Sequence, residues 1–276
     1  MLRTLSMIGA ALTLFGAACG WAFGAEGAAT VHARPQETAA APYLAPHRRR
    51  IYLMRHGNVA YFDAAGRPAQ NEDVVVLSTG GRAEADAAGR YFRSLGIRKF
   101  DKVITSGLPR TVETAERVMA AIGQPGAPEP WLGFREISPW SAAQVPRAQL
   151  KAMVEVLTQA HVPPTAPLRG GEPVAELQAR VYPALEKLRA DPSWDTALLV
   201  LHGGVNSAIL SQALTGGSDY LGHIEQGPGC INILDMGDSP QDWIVRAINL
   251  CPDGNDYRAR ASGLEKYAEY MTGVKR

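Results

Sequence analysis

Cysteine is scarce in this chain: three in 276 residues, at positions 19, 230 and 251. If Cys19 belongs to a leader, only one pair remains, enough for a single bridge. Net charge is nearly absent too. The 28 Lys and Arg stand against 27 Asp and Glu, giving +1, and the cations form no stripe. Nucleic acid and an anionic membrane surface therefore have no electrostatic footing as partners. No internal repeat is visible, which leaves no ground for a solenoid or propeller reading. What is present is a globular composition, 46% hydrophobic and long enough to bury a sizeable core.

After Met1-Leu2-Arg3 comes an apolar stretch from Leu5 to Phe23, rich in Ala, Gly and Leu. This is the composition of a secretory signal or an N-terminal anchor. The reading is residues 1–25 as signal peptide or anchor, 26–47 as a flexible linker rich in Ala, Pro and Thr, and 48–276 as the folded domain. It implies an exported protein, periplasmic or extracellular, with membrane attachment only through its N-terminus. Export also suits a bridge between Cys230 and Cys251, which open and close two strand-like runs joined by Gly237-Asp238-Ser239-Pro240. The alternative is two buried, inert thiols.

Apolar runs alternate with helical patterns along the chain, so the expected fold is α/β, a three-layer sandwich with a mainly parallel sheet and an antiparallel edge. Residues 81–95 carry helical spacing closed by Gly96, and Pro109 opens the next helix, which puts Arg110 in its first turn. A Pro- and Gly-punctuated region at about 123–171, with an amphipathic patch from Arg147 to Ala160, reads as a lid-like insertion. Gly170-Gly171-Glu172-Pro173 opens a helix to about Ala190, and residues 264–271 look helical.

Three of the strand-like runs end in polar residues of one chemical kind. Ile51-Tyr52-Leu53-Met54 runs into Arg55-His56-Gly57, Lys102-Val103-Ile104-Thr105 into Ser106-Gly107-Leu108-Pro109-Arg110, and Ala197-Leu198-Leu199-Val200-Leu201 into His202-Gly203-Gly204. Parallel strands would bring two imidazoles and two guanidiniums to one sheet edge. Phosphoryl transfer needs charge neutralisation around three oxygens, an in-line nucleophile and a proton donor for the leaving group. His56 supplies the nucleophile, Arg55 and Arg110 the clamp, and His202 a further donor. Glu136, in Phe134-Arg135-Glu136-Ile137-Ser138-Pro139-Trp140, is the expected acid, with burial beneath an aromatic favouring its protonated form. Gly57 is read as giving substrate a close approach to the backbone. Ser106 is read either as a pocket hydrogen-bonder or as a local turn cap. Arg82 and Arg90 read as a solvated helix face, and Arg135 as a substrate contact or a surface charge. A metal set of His56, His202, His223 and Glu136 matches in composition, but two arginines crowding the pocket would repel a divalent cation, and His223 reads as a rim residue.

Met54-Arg55-His56-Gly57, Leu77-Ser78-Thr79-Gly80-Gly81-Arg82, Ser106-Gly107-Leu108-Pro109-Arg110-Thr111-Val112-Glu113-Thr114-Ala115 and Leu201-His202-Gly203-Gly204 occur in order. In this the chain resembles the histidine phosphatase superfamily, the phosphoglycerate mutase-like proteins, in the branch whose second histidine precedes glycine. The resemblance spans most of residues 50–250. It implies a phosphoglycerate mutase-like fold needing no metal or cofactor, His56 as nucleophile, Arg55, Arg110 and His202 at the phosphate, and Glu136 as proton donor. Where the family often has Glu-Thr after Arg-His-Gly, this chain has Asn58-Val59, and Asn58 can donate to phosphate from its amide. Glu84 replaces a common glutamine and is read as solvent-facing, without a role. The implied activity is a phosphomonoesterase on a small molecule, with no specific protein partner. A mutase is the alternative, and few basic residues, chiefly Arg135, Arg147, Lys151 and Arg169, stand in the region that would bind an acidic substrate. A silent phospholigand-binding envelope protein is the reading from another class.

Overall fold

The computed structural model describes residues 43–61, 69, 71–137, 147–168, 171–254 and 260–272. The expected leader, most of the linker, Trp140 and Arg169 lie outside these residues. Among them one sheet contains β1 (Arg49–Arg55), β2 (Lys102–Thr105), β3 (Glu129–Pro130), β4 (Thr196–Leu201), β5 (Ile231–Met236) and β6 (Trp243–Leu250). The spatial order is β3-β2-β4-β1-β5-β6. The first four run parallel, while β5 and β6 form an antiparallel hairpin beside β1.

Both faces of the central strands are apolar, so both need cover. Side chains alternate across a strand, and Ile51 and Leu53 accordingly face one core while Tyr52 and Met54 face the other. Helices α1 (Thr79–Ser94) and α2 (Pro109–Ile122) cover the second face, where Tyr52, Phe92 and Phe100 meet edge to face with centroids 5.1–5.8 Å apart. Helices α4 (Val174–Ala190) and α5 (Gly203–Thr215) cover the first. This gives the three layers expected. A further helix, α3 (Arg147–Leu157), packs against the last, α6 (Gly263–Thr272).

Local chemistry sets the helix ends. The Ser78 hydroxyl accepts from Gly81 N at 3.0 Å to start α1, and Gly96 leaves it with φ +81°. Pro109 stands in the first turn of α2, and Gly123 closes that helix in the left-handed region. The region at 123–171 is not wholly an insertion above the sheet, because β3 joins the sheet edge beside β2. The β5–β6 hairpin places Cys230 and Cys251 side by side, with Cα atoms 4.3 Å apart and the sulfurs bonded. The reading of two free thiols is thereby corrected.

Candidate active site

The carboxyl ends of β1, β4 and β2 lie side by side, with β4 between the other two. His202, directly after β4, therefore sits between His56 and Ser106. Its ring centroid is 5.2 Å from that of His56, and both imidazoles are buried. The backbone of α5 begins at the next residue, so the strand-to-helix turn holds His202 in extended conformation as the N-cap.

Hydrogen bonds set the proton positions. His56 Nδ1 lies 2.8 Å from the Gly57 carbonyl, which only accepts, so Nδ1 carries a proton and in the neutral ring the lone pair is on Nε2. Thr111 donates its hydroxyl to the Leu108 carbonyl at 2.8 Å, so the Ser106 hydroxyl, 3.1 Å away, donates to Thr111. That leaves His202 Nε2 to donate to Ser106 Oγ at 2.7 Å. Ser106 Oγ also accepts from Leu108 N at 3.3 Å. Both readings of Ser106 thus hold at once: it caps the turn and bonds the pocket histidine.

Glu136 follows a short 3₁₀ turn at Leu132–Phe134. One carboxylate oxygen accepts from Ile137 N at 3.1 Å, and the other lies 4.0 Å from His202 Nδ1. Gly204 permits this approach, since a Cβ there would stand 3.1 Å from Glu136 Oε1 and 2.6 Å from Ile137 Cδ1. Arg110 is buried in the first turn of α2, where main-chain N–H groups and the helix dipole favour an anion. Arg55, half-buried at the end of β1, donates Nη1 to the Gln226 carbonyl at 2.5 Å. Its Nε is buried and makes no hydrogen bond among the described residues. The strand ends thus gather His56, His202 and Ser106, with Glu136 beside His202.

The residues around the strand ends serve the loop after His56 and the helices beside it. Gly57 has a structural role that the sequence does not disclose: a Cβ would meet the Gly81 carbonyl oxygen at 2.3 Å, so the glycine lets α1 dock on the loop after His56. Asn58 is exposed, and its Oδ1 accepts from the Ser78 hydroxyl at 3.1 Å, tying it to the N-cap of α1. Glu84 is no idle surface residue. It accepts from Asn58 N at 2.6 Å and fixes that same loop. Arg82 pairs with Glu113 at 2.5 Å while its side chain stays 41% exposed, and Glu113 also accepts from Leu77 N. Arg135 pairs with Asp73 at 2.9 Å, and His223 is exposed. Sequence reasoning passed over Asn206, Gln226 and Asn232, although an asparagine inside the apolar run of β5 is itself a signal, because buried amides need partners.

A model of the histidine phosphatase superfamily, branch 1, matches residues 51–250. A wheat (Triticum aestivum) 2-carboxy-D-arabinitol-1-phosphatase is 26% identical over 248 residues, covering 81% of this chain and 49% of its own. This chain therefore spans about half the length of that relative. A probable phosphoglycerate mutase GpmB of Erwinia tasmaniensis is 31% identical over 59% of this chain and 74% of its own. Among solved structures, a mycobacterial glucosyl-3-phosphoglycerate phosphatase aligns with a TM-score of 0.56 at 25% identity, over 74% of this chain and all of its own.

Proposed function

Because the chain belongs to branch 1 of the histidine phosphatase superfamily, we propose that it is a phosphomonoester hydrolase working through a phosphohistidine on His56. The observation that carries this reading is the His56 tautomer: Nδ1 is committed to the Gly57 carbonyl, so the Nε2 lone pair is the nucleophile. In the first step Nε2 attacks phosphorus, the bond to the leaving oxygen breaks, and Glu136 gives that oxygen its proton. In the second, Glu136 takes a proton from water, the water oxygen bonds phosphorus, and the P–N electrons return to Nε2 as inorganic phosphate leaves. Arg55 and Arg110 neutralise the equatorial oxygens, so no metal is required for charge compensation. His202, fixed by Ser106, places its Nδ1 beside the Glu136 carboxyl.

Hydrolysis is favoured over a mutase because few basic residues stand in the region that would bind an acidic substrate, and of these Arg135 pairs with Asp73 at 2.9 Å. Two relatives are named as phosphatases of small phosphorylated compounds, which supports a small-molecule substrate. The leader read at residues 1–25 supports an exported enzyme. The test is release of phosphate from a generic aryl phosphate in the presence of a chelator. Wild type turns over, His56→Ala falls to background, and Glu136→Gln loses roughly a hundredfold in kcat. Release by His56→Ala equal to wild type overturns the assignment of the nucleophile.

A further inference from the structure

One loop, residues 225–230, meets the end of β1 at every turn. The Gln226 carbonyl receives Arg55 Nη1, Gly229 N donates to the carbonyls of Arg55 and His56 at 3.2 Å each, and the Cys230 carbonyl accepts Arg55 N at 3.1 Å. The loop in turn hangs on buried amides. Gln226 Oε1 accepts from Asn232 Nδ2 at 2.7 Å and from Asn206 Nδ2 at 3.3 Å, and Gln226 Nε2 donates to Asn232 Oδ1 at 3.1 Å. Asn232 also donates to the Leu53 carbonyl at 2.9 Å and accepts Asn249 N at 2.9 Å. Asn249 accepts Gly227 N on its own Oδ1 at 2.7 Å and holds φ at +52°, in the left-handed region that few side chains tolerate. The disulfide ties both ends of this brace together, one cysteine closing the loop and the other two residues beyond Asn249.

A free arginine side chain samples many rotamers, and a phosphate clamp must give up that freedom at each binding event. A carbonyl held in advance removes that cost before substrate arrives. We infer that Gln226, Asn232, Asn249 and Asn206 are positioning residues that set the Arg55 guanidinium through the Gln226 carbonyl. None of them need touch substrate. The inference rests on the reading that Arg55 clamps phosphate.

The brace is tested by a mutant cycle against Arg55, with aryl phosphate kinetics and inhibition by inorganic orthovanadate as readouts. Asn249→Gly keeps the left-handed backbone but drops the bond to Gly227, whereas Asn249→Asp keeps the acceptor. Asn206→Leu removes the support from α5 and also a buried Oδ1 that makes no hydrogen bond among the described residues, so its stability stays near wild type. Asn249→Gly and Asn206→Leu are expected to lower kcat/KM and weaken vanadate inhibition about tenfold, with Asn249→Asp within about twofold of wild type. In an Arg55→Ala background neither is expected to cost anything further. Equal losses with and without Arg55, or no loss in a folded Asn249→Gly protein, overturn the inference. Should Asn249→Gly fail to fold, Asn206→Leu decides. A wild type that releases no phosphate removes the phosphatase reading and this inference with it, while an active wild type with additive losses removes the inference alone.

Discussion

A methyl group at Gly204 would come within 2.6 Å of Ile137 Cδ1, so Gly204→Ala must push the segment that carries Glu136. The side-chain end of Ile137 can give way, and the expected result is a folded enzyme with kcat lowered about tenfold, checked by kinetics beside a thermal melt. Gly57→Ala is a harsher change. Its Cβ meets main chain at 2.3 Å, which cannot rotate aside, and denaturant titration should show a loss of about 1–3 kcal/mol. At this scale the sequence disclosed residues whose chemistry is written in their type and neighbours: Arg55, His56, Arg110 and His202 each follow an apolar run. Ser106 was only half legible, because its bond to His202 depends on the order of strands in space. Glu84 was misread for the same reason: it sits at a spacing that suits an exposed helix turn, and only the docking of α1 against the loop after His56 gives it a partner.

Helix boundaries were the most legible features, since Pro109 at the start of α2 and Gly96 after α1 act within a few residues. Strand β3, two residues long, has too few positions to show any periodicity. The closing hairpin stood out through its two apolar runs and the turn between them, and the cysteines mark its open end. That bridge closes 21 residues of chain, so removing it with Cys230→Ser and Cys251→Ser is expected to cost about 3 kcal/mol by the loop-entropy argument. Equilibrium unfolding of the double variant measures it. Activity in the folded fraction should fall less than with Arg55→Ala, because the amides still hold the loop.

The molecule as a whole is stapled across its sheet by carboxylates remote from the pocket. Asp235 on β5 is buried between Arg50 of β1 and Arg246 of β6, and although burial pushes its carboxyl up, the hydrogen bonds from the two arginines outweigh that and hold it below the ordinary value. Asp101 is lowered by main-chain N–H donors from Thr196 and Asp195. Groups depressed in the folded state stabilise it fully above the unfolded value near pH 4 and cease to do so as pH falls through the folded one. Melting temperature should therefore hold from neutrality to about pH 5 and drop below it, and the gap between wild type and Asp235→Asn should close on acidification. The α/β order was legible because each element is local, whereas the placing of β4 between β1 and β2 is not local at all. Arg50 pairs with Thr196 and Arg55 with Leu201. This pairing has a consequence for synthesis on the ribosome. His56 emerges early, but β4 beside it begins only at Thr196, 140 residues later, and β5 at Ile231, 175 residues later, and long-range parallel pairing is slow to form. A nascent or truncated chain ending before β4 carries His56 but neither His202 nor the strand beside β1, so on the proposed mechanism it is expected to release no phosphate.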